Sequence, residues 1–231
     1  SNAAILKLAD GRMIEIGEQP LELKDVQGSV VKYENGRLSY SSEEECAIKD
    51  VYNELVVPIG GECHVLLDDG TEVWLNADSK LKYPIAFSGE SREVILSGEA
   101  YFDVAKDRDH PFIVKTISSE ISVLGTSFNV NARENLCVTT LVEGRVRMRH
   151  GMKDSVELCE GQQASVAKIG KIRVQDVDTR YYTSWMNNMF AFREAPLREI
   201  ADVLENWYGC ECRFENSTLE NIPYTTMVER Y

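Results

Sequence analysis

The chain has 231 residues, and 43% of them are hydrophobic, which is enough to build a sizeable buried core. Its 25 Lys and Arg residues are outnumbered by 38 Asp and Glu residues, so the formal net charge of −13 disfavours binding to nucleic-acid phosphates or anionic membranes. No run approaches the roughly 18 consecutive apolar residues that a membrane-spanning helix needs. Residues 1–3 look like the remnant of a cleaved expression tag, so we expect the natural sequence to begin later.

Two predicted hairpins share one pattern: a short apolar strand, an Asp-Gly turn and a second strand with alternating side chains. The first joins residues 5–8 to residues 13–16 through Asp10 and Gly11, and the second joins residues 65–67 to residues 73–75 through Asp69 and Gly70. Between them, residues 43–45 are three consecutive glutamates, which we interpret as a solvated loop. Residues 4–55 are predicted to be a β-rich lead-in to the segments that follow.

Short β-type segments continue to about residue 180, at the spacing of a sandwich or barrel. Gly98 separates two of them, and Pro111 precedes the next. The predicted strands cover residues 94–96, 100–104, 112–114, 121–124, 128–130, 138–142, 146–148, 156–158, 164–166 and 172–174. The fold class predicted is mainly β, an antiparallel sandwich or roll over residues 56–180.

The periodicity changes near residue 184. Apolar residues at 197, 200, 201, 204 and 208 recur at helical spacing, after Pro196 and before Gly209. Proline suits the start of a helix and glycine suits its left-handed cap, so these two residues predict the ends of the helix. With strands expected at residues 189–192 and 210–214, and another opening at Pro223, residues 187–231 are predicted to form a small α+β (β-α-β) domain.

The sequence offers little for catalysis or metal binding. Its three histidines, His64, His110 and His150, have no second histidine at ligand spacing, and the glycine pair at 60–61 lacks the context of a phosphate-binding loop, so it is interpreted as a turn. The six cysteines include no C-x-x-C pair, and their disulfide state is left open. We therefore predict no catalytic residues, no cofactor, no metal and no enzymatic activity.

Paired acids and aromatic residues on β-strands keep a carbohydrate-binding or carbohydrate-cleaving module as an alternative. Glu99 and Asp103 are four residues apart, which in a strand corresponds to roughly 13 Å, more than the usual separation of glycosidase carboxylates. Structural carboxylates are the favoured interpretation. Trp74 and Tyr101 could form a sugar-stacking platform, although packing in the protein is favoured for them too. A purely structural β-domain is the third alternative.

Seven blocks of sequence, in this order, resemble the periplasmic FecR domain of cell-surface signalling systems. They are LDDGTEVWLNA (67–77), LKYP (81–84), LSGEAYFDV (96–104), PFIV (111–114), VLGTSFNV (123–130), LVEGRV (141–146) and EGQQA (160–164). The tail from Phe190 through the helix to Tyr208 is similar to the small C-terminal domain that follows it in Bacteroidetes members. The resemblance implies that a cytoplasmic segment and one membrane helix upstream, and more of the small domain downstream, are missing.

The resemblance also implies a function. The full protein would be an inner-membrane anti-sigma factor, and this chain its periplasmic part. It would sense the N-terminal signalling domain of an outer-membrane TonB-dependent receptor, and it would act on an extracytoplasmic-function sigma factor through the missing cytoplasmic segment. Residues 187–231 are predicted to make the partner contact. The candidate contact residues are Phe190, Phe192, Leu197, Leu204, Trp207 and Tyr208.

Overall fold

The computed structural model describes residues 2–17, 19–26, 28–41, 51–133 and 135–230. The predicted loop at residues 43–45 and Cys46 lie outside these ranges. Within them, the chain forms strands up to residue 176 and a mixed α and β segment after it. The strands are β1 (Ala4–Lys7), β2 (Met13–Ile16), β3 (Leu21–Lys24), β4 (Val30–Glu34), β5 (Arg37–Ser41), β6 (Tyr52–Val57), β7 (Cys63–Leu66), β8 (Glu72–Leu75), β9 (Ser79–Pro84), β10 (Arg92–Asp103), β11 (Phe112–Lys115), β12 (Ser119–Val123), β13 (Ser127–Arg133), β14 (Leu136–Glu143), β15 (Val146–His150), β16 (Asp154–Leu158), β17 (Gln162–Ala167), β18 (Arg173–Asp176), β19 (Met189–Pro196) and β20 (Pro223–Glu229).

The first eighteen strands, β1 to β18, form two sheets that share β10. These two sheets together are the β body. In the first sheet the order is β2-β1-β6-β9-β10-β11-β12-β15-β16. In the second sheet the order is β3-β4-β5-β7-β8-β10-β13-β14-β17-β18. Both Asp-Gly hairpins predicted from the sequence are present, as β1–β2 and β7–β8.

Gly98 is the point at which β10 passes from one sheet to the other. Residues 95–97 pair with β9 in the first sheet, whereas residues 98–103 pair with β13 in the second. The φ angle of Gly98 is +95°, and a Cβ atom there would lie 2.4 Å from the Ser79 hydroxyl oxygen. Only glycine combines this backbone conformation with so close an approach. The two strands predicted on either side of Gly98 are thus one bent strand.

The core lies between the two sheets and follows from the alternation of side chains along the strands. In β9, for example, Ser79, Leu81 and Tyr83 are buried, while the residues between them are more exposed. Three phenylalanines meet at the centre: Phe102 lies 5.2 Å from Phe128 and 6.1 Å from Phe112 between ring centroids. The predicted fold class, mainly β with a sandwich-like body and a small α+β unit, is confirmed.

The second Asp-Gly turn, at Asp69 and Gly70, is attached to the rest of the β body by a buried ion pair. Asp69 accepts hydrogen bonds from the main-chain N–H and the hydroxyl of Thr71, and its carboxylate lies 2.7 Å from the Arg92 guanidinium. Arg92 also donates to the carbonyls of Ala105 and His110. Because its side chain is only 4% exposed, the guanidinium needs these acceptors to offset its desolvation.

The small C-terminal unit contains β19, β20, the helix α2 (Leu197–Tyr208) and a 3₁₀ helix (Ser217–Asn221). Helix α2 begins after Pro196 and ends at Gly209, whose φ of 64° is the left-handed cap expected from the sequence. A short helix α1 (Arg180–Thr183) and a 3₁₀ helix (Ser184–Asn187) link this unit to the β body. In the described residues, no helix has both the length and the apolar character to cross a membrane.

The strand predicted at residues 210–214 is wrong. The strand that pairs with β19 is β20, whereas residues 210–214 run back along α2 without forming a strand. The Cys212 main-chain N–H donates to the Glu205 carboxylate at 2.8 Å, and the Cys212 thiol lies 4.0 Å from the Ala201 carbonyl oxygen. The contact with Glu205 satisfies a main-chain N–H that a strand would direct to a neighbouring strand.

Strand pairing crosses the predicted boundary at residue 55. Strand β1 pairs with β6, and β5 pairs in parallel with β7, so the lead-in is continuous with the sheets that follow. The predicted division into a lead-in, a FecR domain and a C-terminal domain remains a prediction from sequence.

Candidate functional site

The small unit has its own core, built on one face of β19. Phe190, Phe192 and Ala195 are buried there. Ile200 and Leu204 of α2 pack against them, as the helical spacing of the apolar residues predicts, and Trp207, which lies off that spacing, packs against them too. Burying each large apolar side chain contributes roughly 1.5–3 kcal/mol, so a core this small depends on every member.

The structure divides the six predicted contact residues by their exposure, and one of them, Trp207, is partly buried against the small core. Phe190 and Phe192 are 6% and 7% exposed, and they are therefore parts of the core, as is the partly buried Leu204. Tyr208 is 51% exposed, although its ring centroid lies 6.1 Å from that of Phe190. Leu197 is half-buried at the start of α2. A direct contact by Phe190 or Phe192 would require the small core to open.

Helix α2 ends against a tight turn of the β body. The Gly60 N–H donates to the carbonyl of Asn206 at 3.0 Å. A Cβ atom on Gly60 would lie 2.7 Å from the Trp207 carbonyl oxygen, and the φ of Gly60 is +74°. Gly60 and Gly61, which the sequence identifies as a turn, therefore also form the surface against which the last turn of α2 packs.

Arg230, just after β20, is the central residue of this interface. Its side chain is 2% exposed and donates to the Trp185 carbonyl. Its guanidinium carbon lies 3.9 Å from the Trp207 ring centroid, and a terminal nitrogen lies 3.3 Å from the Glu62 carboxylate of the β body. Burial lowers the pKa of Arg230, an effect that Glu62 opposes. Nothing local in the sequence marks Arg230 as a contact residue, because its ion-pair partner is 168 positions away.

The linker is attached to the second sheet by a chain of hydrogen bonds. The Trp185 indole N–H donates to the Asn129 side-chain oxygen at 3.2 Å, and the Asn129 amide donates to Glu99 at 3.0 Å. Asn76 donates to the other Glu99 oxygen at 2.9 Å. Trp185 is 8% exposed and Asn129 is 2% exposed, so the network is shielded from water. Glu99 is therefore a structural carboxylate with two amide donors.

An aromatic row lies on the same outer face of the second sheet. Trp74 stacks on the His64 ring with 4.3 Å between centroids, and it meets the Tyr101 ring edge-on at 5.8 Å. His64 Nε2 lies 2.6 Å from the Glu72 carboxylate; burial lowers the pKa of His64, and Glu72 opposes this. Since His64 covers one face of the indole, Trp74 does not offer that face to a sugar ring.

Asp103 stands apart from Glu99. Its carboxylate accepts a hydrogen bond from the Ser127 hydroxyl at 2.8 Å, whereas Glu99 is held by Asn76 and Asn129. Each acid thus has its own neutral donors. The two acids do not form the facing pair in a cleft that glycoside cleavage uses.

The cysteines of the described residues are free thiols. Cys63 and Cys137 are buried, and burial raises the pKa of both, to about 12 for Cys63. Cys159 and Cys210 are exposed, and Cys212 is half-buried beside α2. In the part of the chain that the structure describes, no three His, Cys, Asp or Glu side chains are grouped so as to hold one metal ion.

Two family models match the chain in sequence order. The FecR protein model matches residues 53–147, which include β7 to β14, and the FecR C-terminal model matches residues 189–231, which contain β19, α2 and β20. No curated protein matches the chain at a significant level.

Two crystal structures of candidate anti-sigma factors from Parabacteroides distasonis ATCC 8503, at 1.65 and 2.50 Å resolution, are similar to this chain. The first is 29% identical in sequence, covers 77% of this chain and 85% of its own, and has a TM-score of 0.72. The second is 28% identical, covers 78% of this chain and 85% of its own, and has a TM-score of 0.69. The two family matches, which together span more than half of the chain, and the shared fold show that the chain belongs to the FecR family.

Proposed function

We propose that this chain is the periplasmic sensing part of a FecR-type transmembrane anti-sigma factor. It relays a signal from an outer-membrane TonB-dependent receptor to an extracytoplasmic-function sigma factor. The observation that carries the proposal is the succession of FecR and FecR C-terminal regions in one chain, on a fold shared with two candidate anti-sigma factors. The sigma factor is reached through a cytoplasmic segment, on the other side of one membrane helix.

The interface between the two units supports a relay. In the part of the chain that the structure describes, the small unit and its linker contact the β body through the Gly60–Asn206 hydrogen bond, the Arg230–Glu62 ion pair and the Trp185–Asn129 hydrogen bond. A partner that binds the small unit more tightly in one of two arrangements shifts the balance between them. Such a mechanism requires no catalytic group.

Within the predicted contact set, Tyr208 and Leu197 are the residues for direct contact with the receptor domain. Tyr208 is 51% exposed at the end of α2, and aromatic residues of this kind often dominate binding energy at interfaces. Phe190, Phe192 and Leu204 act by holding α2 on β19. Trp207 stacks under Arg230, so it connects the contact helix to the β body.

The test is isothermal calorimetry between this chain and the isolated N-terminal signalling domain of the TonB-dependent receptor encoded beside it. Saturable one-to-one binding is expected, and Tyr208→Ala should weaken it at least tenfold, a loss of about 1.4 kcal/mol. Tyr181→Ala is the control, since it removes a tyrosine ring from α1 and not from the contact helix α2.

Absence of heat with the correctly folded wild-type chain would contradict the proposed partner. Binding that is unchanged by Tyr208→Ala, and equally by removal of residues 187–231, would instead place the contact on the β body. Far-ultraviolet circular dichroism of each variant separates a loss of contact from a loss of fold.

A further inference from the structure

Three hairpin turns lie side by side at one end of the β body. They join β11 to β12, β15 to β16 and β17 to β18. Strands β12 and β15 pair with Ser119 opposite His150, which brings the first two turns together. The Ile172 N–H donates to the Asp154 carboxylate at 2.7 Å, which places the third turn beside the second. These three turns are together named the basic tip, and they comprise residues 115–120, 149–154 and 167–173.

A large aliphatic side chain projects from each turn of the basic tip. Ile117 is 77% exposed, Met152 is 96% exposed and Ile169 is 93% exposed. Each lies between two strands that pair with each other, in the interior of the sequence, so its projection is a property of the hairpin itself. Single exposed aliphatic residues are common on protein surfaces, but three on neighbouring turns form a contact surface.

The basic tip also reverses the charge of the chain. It contains six Lys and Arg residues and two acidic residues, a formal net charge of +4, whereas the whole chain has a net charge of −13. The two acidic residues already have partners, since Glu120 forms an ion pair with Arg149 and Asp154 accepts the Ile172 N–H. The basic residues that remain exposed are Lys153, Lys168, Lys171 and Arg173.

Charged and aliphatic groups are adjacent in the basic tip. Lys153 and Lys171 line one groove of about 580 Å³ between the second and third turns, and Met152 lies at its edge. Lys168 directly precedes Ile169 in the third turn. An anionic surface that accepts aliphatic groups therefore matches both features of the basic tip.

We infer that the basic tip docks on an anionic phospholipid bilayer, with Ile117, Met152 and Ile169 inserted at the interface and the lysines on lipid phosphates. Aliphatic side chains enter the boundary between headgroups and acyl chains, while Lys and Arg are attracted to anionic lipids. Lipids rearrange around three projecting side chains, whereas a protein partner would need a complementary pocket for each. The identity of the membrane rests on the proposed function, in which it is the periplasmic leaflet of the inner membrane.

The acidic remainder of the chain does not prevent this contact. Electrostatic interactions in water are screened over about 8 Å at physiological ionic strength. A five-residue strand such as β15 spans roughly 17 Å. Acidic residues on the far half of the β body are therefore screened from the membrane, and the charge of the basic tip dominates at its surface.

Strand β1 begins at the same end of the β body as the basic tip. The register through β6, β9 and β10 places Ile5 at the level of Ser97. That level is just beyond the one at which Ile95 pairs with Lys115. In the proposed function a membrane helix precedes β1, so this end is the one held near the bilayer. A contact that is weak for the free chain then suffices, because the helix raises the effective concentration of the bilayer.

Co-sedimentation with vesicles tests the inference on the whole chain. On vesicles of phosphatidylglycerol and phosphatidylethanolamine, at about 0.1 M salt, we expect half-maximal binding on the order of 1 mM lipid. Binding to vesicles of phosphatidylcholine alone should be at least tenfold weaker, since they have no net charge. Raising the salt to about 0.5 M should weaken the binding to anionic vesicles.

Two variants test the apolar and the charged parts of the basic tip separately. The first combines Ile117→Ser, Met152→Ser and Ile169→Ser, which removes the inserted side chains. The second combines Lys153→Glu and Lys171→Glu, which turns attraction to lipid phosphates into repulsion. Each variant should bind anionic vesicles at least tenfold more weakly than wild type.

The control variant combines Met13→Ser and Lys24→Glu. Both residues are exposed at the opposite end of the β body: Met13 pairs with Lys7 at the far end of β1, and the Lys24 carbonyl accepts from Arg12 in the same turn. This variant should bind vesicles like wild type. Because all the substituted residues are exposed, circular dichroism should show the wild-type fold in each variant.

Three outcomes would overturn the inference. The first is a folded wild-type chain that does not bind anionic vesicles, and the second is equal binding to phosphatidylcholine. The third is wild-type binding by both variants of the basic tip. Calorimetry with the receptor domain contains no lipid, so failure of the proposed partner and failure of the bilayer contact are measured independently.

Discussion

The Arg230 guanidinium stacks on the Trp207 ring, with 3.9 Å between the guanidinium carbon and the ring centroid. This contact joins the end of β20 to the last turn of α2. Both ends of it also contact the β body: Arg230 forms an ion pair with Glu62, and the Gly60 N–H donates to the Asn206 carbonyl, next to Trp207. Arg230 therefore contacts both the small unit, at Trp207, and the β body, at Glu62.

Replacing Arg230 by methionine should loosen the small unit. The substitution removes the cation–π contact and leaves the buried Trp185 carbonyl without this donor, at a cost of about 2–3 kcal/mol. Amide hydrogen exchange in β19 and α2 should accelerate roughly 30- to 150-fold, while exchange in β10 stays unchanged. Arg180→Met is the matched control, because the Arg180 side chain is 80% exposed. Equal exchange in both variants would rule out the coupling.

The Trp185–Asn129 hydrogen bond should hold the linker on the second sheet. Trp185→Phe keeps an aromatic ring but leaves the buried Asn129 oxygen without its indole donor, which should cost about 1–2 kcal/mol. A double-mutant cycle with Asn129→Ala should give a coupling energy near 1 kcal/mol in urea unfolding. Strictly additive effects of the two substitutions would contradict this role of the hydrogen bond.

Gly98→Ala should be among the most damaging single substitutions in the β body. Its Cβ would lie 2.4 Å from the Ser79 hydroxyl oxygen and 2.6 Å from the Asp78 carbonyl oxygen, at a φ of +95°. We expect a loss of more than about 3 kcal/mol in the free energy of unfolding, measured in urea. Gly17→Ala, where no atom lies within 4 Å of the new Cβ, should stay within about 1 kcal/mol of wild type. Similar losses for both would disprove the steric account.

The buried Cys63 thiol should make the fold sensitive to alkaline pH. Burial raises its folded-state pKa from 9.0 to about 12, so the unfolded chain loses this proton first as the pH rises. The stabilisation is complete below pH 9 and is lost progressively towards pH 12, with a slope of up to about 1.4 kcal/mol per pH unit.

Urea unfolding from pH 8 to 11 measures this slope for Cys63. Cys63→Ala should show a shallower fall than wild type, whereas Cys159→Ala, at an exposed position, should keep the wild-type slope. A slope unaffected by Cys63→Ala would assign the alkaline loss to other groups, such as Tyr40, whose pKa burial also raises to about 12.

Local patterns predict much of this molecule because their causes are local. The alternation of apolar and polar side chains on either side of Asp10–Gly11 and Asp69–Gly70 is sufficient to specify two hairpins. The geometry of each turn sets the register of its two strands. Pro196 and Gly209 bound α2 because each acts through its own backbone conformation. The blocks that resemble the FecR domain also point to the family that the comparisons show.

Contacts between distant segments lie beyond such patterns. The segment at residues 210–214 has the composition of a strand, but α2 competes for its hydrogen bonds and β20 occupies the place beside β19. Phe190 and Tyr208 both look like contact residues in the sequence, yet one is buried and the other is half-exposed.

The sequence by itself determined the β-rich class, the hairpins, the bounds of the helix and the family, because each depends on neighbouring residues or on motifs along the chain. Only the tertiary structure decided that β10 serves two sheets, that Trp185 reaches Asn129 and that Arg230 stacks on Trp207 beside Glu62. The physical reason is that these contacts join residues up to 168 positions apart, and their geometry exists only once the sheets and α2 have packed.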